Sequence, residues 1–291
     1  MDFLKSKKNV VILGASGWIG KNFIDLLEKT KNYNLHLYSS SSTKKINFGN
    51  GSVYETSPIS KLSNLDMPDI DIFIDLAFPT QDKIELLGNK GYLNSIKKLQ
   101  EIKENFLSKT KPKNIFVASS GAIYWNEKES NLYSKGKLSQ EQFYEDYFKT
   151  KSTNILIMRI FGLLARHFSF DKNYAFTSFI KQAKEENIIR VKSNKLVIRS
   201  YITFPELFLF FEDWVNYHNS DFQIIDSCSF TTEIRNLAQI ISNFYGVKIV
   251  DNNKIIGEDR YVGSTKVMEE FLSKRNIESN INSEKIINLL C

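Results

Sequence analysis

Along the first half of the chain, short and mainly apolar runs alternate with stretches in which apolar residues recur every three or four positions. Residues 10–13, 70–76, 115–118 and 155–160 are runs of the first kind, the pattern of strands covered on both faces in a parallel sheet. Residues 34–38 and 222–226 read as two further strands. Helices are predicted from about 21 to 29 and from 92 to 107, the second with Leu93, Ile96, Leu99 and Phe106 at helical spacing. This order predicts an α/β fold, a doubly wound parallel sheet with crossover helices. Past about Ala165 the regularity fades and aromatics accumulate (Phe168, Phe170, Tyr174, Phe176, Phe179). The reading is therefore a first domain over 1–165 and a smaller one over 166–291, with about 196–242 returning to the main sheet. Residues 206–214 are apolar and aromatic but interrupted by Glu212 and Asp213, and read as a packed helix.

Composition narrows the class. A content of 42 % hydrophobic residues in 291 excludes wholesale disorder. The chain has no apolar run near the roughly 20 residues that span a bilayer, and its start lacks the apolar stretch of a secretory leader, so a cytoplasmic enzyme is expected. Cys228 and Cys291 are too few for a disulfide framework, and His36, His167 and His218 have no ligand spacing, so no metal is expected. The net charge of +6 comes from lysines scattered among carboxylates without a basic, aromatic-interleaved stripe. That argues against a nucleic-acid partner and favours, mildly, an anionic small substrate.

The run 10–13 leads directly into Gly14-Ala15-Ser16-Gly17-Trp18-Ile19-Gly20. In a strand–turn–helix joint, the first glycine makes the tight turn, the second lets the backbone approach a diphosphate, and the third lets the helix pack on the strand. The helix N-terminus then offers N–H groups to the phosphates. A dinucleotide is the implied ligand. The second strand ends in Ser39-Ser40, followed by further hydroxyls and Lys44-Lys45, where an NAD site would carry an acidic residue for the ribose 2′-hydroxyl. NADP is favoured, with NAD as the alternative.

Tyr133 and Lys137 stand four apart, hence on one face of a helix, one turn from each other. A phenol titrating near 10 is a poor acid or base at neutral pH until a neighbouring cation stabilises its phenolate. Ser120, at the end of the strand 115–118, is placed to hold a substrate oxygen by hydrogen bond.

With the glycine turn, Ser120, Tyr133 and Lys137 in this order, almost the whole chain resembles the extended short-chain dehydrogenase/reductase family. Within it, the similarity is to the NAD(P)-dependent nucleotide-sugar epimerases, dehydratases and reductases. The resemblance implies a Rossmann-type fold with a smaller C-terminal substrate-binding domain and, as catalytic residues, Ser120, Tyr133 and Lys137. It implies a cofactor site of Gly14, Ser16, Gly17, Trp18, Ile19, Gly20, Ser39, Ser40, Leu76, Ala77 and Lys137. A nucleotide-diphosphate-sugar would be held by Ser120, Gly121, Ser178, Phe179 and Arg199, with the Arg199 fork on the diphosphate. Many members pair two copies through the helix bearing the tyrosine and the one before it, so a homodimer is implied, with Tyr144, Tyr147 and Phe148 either core or interface.

Departures narrow this further. Dehydratases of the family follow the catalytic Ser/Thr with Asp-Glu, where this chain has Gly121-Ala122, and the loop between Ser120 and Tyr133 is short. The function implied is NADPH-dependent reduction of a nucleotide-linked 4-keto-hexose, with a 6-deoxy sugar favoured, for surface-polysaccharide synthesis. The alternative is an NAD-dependent nucleotide-sugar 4-epimerase, and a non-catalytic NADP(H)-binding redox sensor is a third reading.

Overall fold

The computed structural model describes residues 7–40, 42–48, 51–65, 67, 69–127, 131–151, 153–168, 174–217, 221–251 and 254–290. His218, Phe170 and Cys291, named above, lie outside them. The chain runs through β1 (Lys8–Leu13), α1 (Trp18–Thr30), β2 (Tyr33–Ser39), β3 (Lys44–Asn47), β4 (Val53–Pro58), β5 (Ile72–Asp75), α2 (Asp82–Thr110), β6 (Asn114–Ser120), α3 (Leu132–Thr150) and β7 (Asn154–Ile160). It continues through β8 (Leu163–Leu164), α4 (Ala175–Glu185), β9 (Ile188–Val191), β10 (Leu196–Thr203), α5 (Phe204–Tyr217), β11 (Phe222–Ser227), β12 (Phe230–Glu233), α6 (Ile234–Tyr245), β13 (Lys248–Asp251), β14 (Glu258–Tyr261), α7 (Lys266–Ser273) and α8 (Ser283–Leu290). Two compact units result, Met1–Arg159 with Phe211–Ile225, and Ile160–Phe210 with Asp226–Cys291.

The first unit is built on an eight-stranded sheet in the order β11-β7-β6-β5-β1-β2-β4-β3. β1 pairs in parallel with both β2 and β5, and β5 in parallel with β6. β5, β6 and most of β1 are buried along their length, which is why they read as near-continuous apolar runs. Strand order reverses between β1 and β5, so their carboxyl ends border the crevice where open α/β sheets take ligands. Val11, Leu13, Phe73, Val117 and Ile157 fill one face, against Phe106 and Leu107 of α2 and Tyr144 of α3. Tyr144 is thereby core.

Residues 44–47 form a strand that the sequence reading does not contain, β3, antiparallel to β4 at the sheet edge; four residues with one buried side chain leave no period to detect. The expected return to the main sheet over 196–242 is narrower, because only Phe211–Ile225 joins the first unit. β10 instead pairs with β12, β14 and β8 in a sheet of the second unit. The core of that unit holds Phe176, Phe179 and Ile180 of α4 with Leu237 and Ile241 of α6, so much of the aromatic richness after Ala165 is packing. β9 and β13 form a separate parallel pair there.

Candidate active site

The turn after β1 is tight for reasons the three glycines explain separately. Gly14 has φ +92°, and a Cβ there would meet the Leu76 carbonyl carbon and the Ala77 nitrogen at 3.0 Å. Its own N–H donates to the Tyr38 carbonyl at 2.8 Å. A Cβ on Gly20 would lie 2.6 Å from the carbonyl oxygens of both Gly14 and Ala15. Gly17 is exposed and its Cβ would meet only the Gly14 oxygen, at 3.2 Å, so its outer side is open. α1 starts on Gly17 with no side-chain cap and no acid in its first turn, which suits a diphosphate placed against that end. Ser16, Trp18 and Ile19 line the turn half-buried, and Leu76 and Ala77 follow β5 beside it. The residues present thus fit a dinucleotide.

β6 carries Ser120, and α3 carries Tyr133 and Lys137. Asn131 caps α3 by accepting from the Tyr133 N–H at 2.9 Å, the usual N-cap device. The Ser134 hydroxyl donates to the Ala122 carbonyl at 2.8 Å, tying the start of α3 to the turn that follows Ser120. Ser120 ends β6, and its Oγ accepts from the Ala122 N–H at 3.2 Å. Tyr133 is half-buried, its ring edge-on to Phe78 at 5.9 Å. Lys137, 4 % exposed, donates to the Ala118 carbonyl at 2.7 Å and to Gln140 Oε1 at 3.0 Å, with its ammonium 4.2 Å from the centre of the Phe78 ring. Burial lowers it to about 7; Lys103 pushes the same way, while Asp75 and Glu141 oppose.

Behind Lys137 lies a buried network that sequence reasoning missed. Asp75, fully buried at the end of β5, accepts from Lys103 Nζ at 2.5 Å, the Tyr144 hydroxyl at 2.7 Å and Gln140 Nε2 at 3.0 Å. Glu141 accepts from the Ser119 hydroxyl at 2.5 Å and takes a two-point contact from Arg159, at 3.1 and 2.7 Å. The signal was present in one helix: Lys137, Gln140, Glu141 and Tyr144 repeat at three, four and seven on a buried face of α3.

Other expected site residues sit differently. Gly121 is buried where the chain leaves β6. Ser39 is buried, its hydroxyl 2.6 Å from that of Thr56, whereas Ser40 is exposed at φ +33°. Arg199 donates to Asp259 Oδ2 at 2.8 Å and to the carbonyls of Ile198 and Asp259 at 2.9 Å. Its fork is held as an ion-pair partner between β10 and β14, which also keeps the Asp259 carboxyl below its ordinary range. Phe179 lies in the core of the second unit, and Ser178 accepts from Gln182. Burial raises the Cys228 thiol to about 12, leaving it protonated. Among the described residues there is no group of three or more His, Cys, Asp or Glu arranged for a metal, and no helix long and apolar enough to cross a membrane.

Comparison with known proteins bears on the fold and the family. No curated protein matches the chain. Among solved structures, a UDP-N-acetylglucosamine 4-epimerase from Bacillus cereus superposes with a TM-score of 0.70 at 18 % identity, covering 97 % of this chain and 95 % of the other. A UDP-glucose 4-epimerase from Thermotoga maritima gives 0.72 at 12 % identity, covering 97 % and 96 %. An NAD-dependent NDP-hexosamine 5,6-dehydratase of tunicamycin biosynthesis gives 0.71 at 12 % identity, covering 97 % and 95 %. These likenesses establish the shared Rossmann-type fold. The profile of one family matches residues 10–207, from within β1 to the first residues of α5, and the chain belongs to that family, the NAD dependent epimerase/dehydratase family.

Proposed function

We propose that the chain holds a nicotinamide dinucleotide on the turn after β1 and acts at carbon 4 of a nucleotide-linked hexose as an epimerase. The observation that carries this is Lys137, fixed by the Ala118 carbonyl one turn along α3 from Tyr133, with Ser120 ending the same strand as Ala118. Family membership supports the reaction class, as do the UDP-sugar 4-epimerases among the similar folds. When bound, the nicotinamide supplies a hydride acceptor that returns the hydride to the opposite face of the sugar carbon. Tyr133 takes the proton of the 4-hydroxyl and later gives it back to the 4-keto oxygen. Ser120 donates a hydrogen bond to that oxygen. The Lys137 ammonium stabilises the Tyr133 phenolate and, with the N–H not held by Ala118 or Gln140, binds the nicotinamide ribose.

A second reading, a reductase acting on a nucleotide-linked 4-keto-6-deoxyhexose, is favoured by the end of β2. No carboxylate stands between residues 39 and 45, and Lys44 and Lys45 are exposed, an arrangement suited to the 2′-phosphate of NADPH. Under it Tyr133 gives a proton to the ketone oxygen once, and the product serves polysaccharide synthesis. Pairing of two copies through α2 and α3 is supported under either reading by exposed Leu86, Leu93 and Leu138.

Absorbance at the nicotinamide band, followed with a panel of UDP- and TDP-linked hexoses and their 4-keto forms, separates the two. Sugars that interconvert without net cofactor consumption establish the epimerase. Stoichiometric loss of NADPH with a 4-keto sugar replaces it with the reductase.

A further inference from the structure

We propose that Gln140 is a positioning residue for the Lys137 ammonium, its amide held in one orientation by Asp75. The inference rests on the reading that Lys137 serves Tyr133 and the cofactor, but its geometry stands apart from that reading. Gln140 Oε1 accepts from Lys137 at 3.0 Å while Nε2 donates to Asp75 Oδ2 at 3.0 Å. Rotated by half a turn, the amide would face an ammonium with its NH₂ and a carboxylate with its oxygen, so both contacts would become repulsive. Buried ends of opposite charge therefore admit a single orientation. Asp75 is itself anchored by Lys103, Tyr144 and the Ala77 N–H, the last at 3.3 Å.

The charges around Lys137 give this contact its consequence. Lys103 on α2 is matched by Asp75 on β5, and Arg159 on β7 by Glu141 on α3. Lys137 is the third cation of the cluster, and among the described residues neutral acceptors, Ala118 and Gln140, and the Phe78 ring stand against it. A hydrogen bond accepted from the charged form favours that form. Gln140 thus keeps protonated, and in place, an ammonium that burial drives towards the neutral amine. Gln140 also borders a small cavity with Phe78, Ile96, Lys103, Gly136 and Phe143.

The test is an NMR titration of the whole protein carrying ¹³C at the lysine Cε, with Lys137→Met identifying the resonance. In Gln140→Met, similar in length and without the acceptor, the midpoint of Lys137 is expected to fall by about one pH unit or more. In Gln140→Leu, which also removes the acceptor, it is expected to fall too. Coincident midpoints in wild type and Gln140→Met overturn the proposal, and that variant decides alone if the leucine variant does not fold. The acid limb of sugar turnover is expected to move with the midpoint. A midpoint that moves in a protein that binds no nicotinamide cofactor overturns the functional reading and leaves the positioning intact.

Discussion

Gly20 and Gly14 are packed so closely that a Cβ on Gly20 would stand 2.6 Å from the Gly14 carbonyl oxygen, with the Ala15 carbonyl oxygen equally near and the Ala15 Cα at 2.7 Å. All three are backbone atoms and none can turn aside. Gly20→Ala is expected to destabilise the protein by about 1–3 kcal/mol through overpacking, despite the gain of about 1 kcal/mol that alanine brings to a helix interior. Gly17→Ala meets one atom at 3.2 Å and is expected to fold nearly as well while binding NAD(P) more weakly, since its methyl enters the open side of the turn. Denaturant midpoints and cofactor titration of both variants check this. Equal stability of the two would mean that the turn relaxes where the packing says it cannot.

Tyr133→Phe keeps the ring that meets Phe78 edge-on and removes only the hydroxyl. Turnover is expected to fall by about 10² to 10⁴, the usual range for a lost general acid/base, with cofactor affinity nearly unchanged. Stopped-flow turnover beside a fluorescence titration of the cofactor reads both quantities. Loss of cofactor affinity in this variant would make Tyr133 a structural residue.

Lys44 and Lys45 cannot both serve a 2′-phosphate, because successive strand residues point to opposite faces. Lys44 stands opposite Thr56, whose hydroxyl meets Ser39 at the end of β2, whereas Lys45 stands opposite Glu55. Lys44→Glu is therefore expected to weaken NADPH binding about tenfold or more, roughly 1.4 kcal/mol, with NADH binding unaffected. Lys45→Glu is expected to change neither. Parallel titrations with the two cofactors are the measurement, and an equal effect on NADH would place the phosphate elsewhere.

The parts of the molecule legible in the sequence are those whose residues answer to their immediate neighbours. β1, β5, β6 and β7 announce themselves as apolar runs because both faces are covered, and the glycine turn is local by construction. β10, β12 and β14 do not. β12 and β14 have four residues each, β10 carries Arg, Ser and Thr among its apolar residues, and what makes them strands is pairing between segments some 30 to 60 residues apart, as in Arg199 with Thr232 and Tyr261. The same holds at the site. The spacing of Tyr133 and Lys137 lies within one helical turn, whereas Asp75, Lys103 and Gln140 meet from β5, α2 and α3. Arg199 shows the converse: its residue type suggested a phosphate partner, and only the register of β10 against β14 reveals Asp259.

Lys103 and Asp75 form an ion pair with almost no exposure on either side. Removing one partner leaves an uncompensated charge in the core, which typically costs about 3–5 kcal/mol. Lys103→Met is expected to fall in that range because Asp75 keeps only the neutral donors Tyr144, Gln140 and Ala77. The double change Lys103→Met with Asp75→Leu is expected to recover part of the loss. Urea denaturation of the two variants distinguishes these outcomes, and a single variant as stable as wild type would mean that water reaches Asp75.

Lys137 links this core to acidity. Burial holds it at about 7 in the folded chain, whereas a free lysine titrates near 10.4. Between these values the unfolded chain binds a proton that the folded chain has released, so stability rises with pH across that interval, and the cost of the buried ammonium is fully present below about 7. The slope reaches at most about 1.4 kcal/mol per pH unit, the value for one proton. Lys137→Met, similar in length and without charge, is expected to abolish this contribution. Its stability relative to wild type should therefore be greatest on the acid side and shrink as pH rises. Denaturant midpoints measured without added cofactor from about pH 6 to about pH 9 give the slope directly, and an identical slope in both proteins would assign the proton to another group.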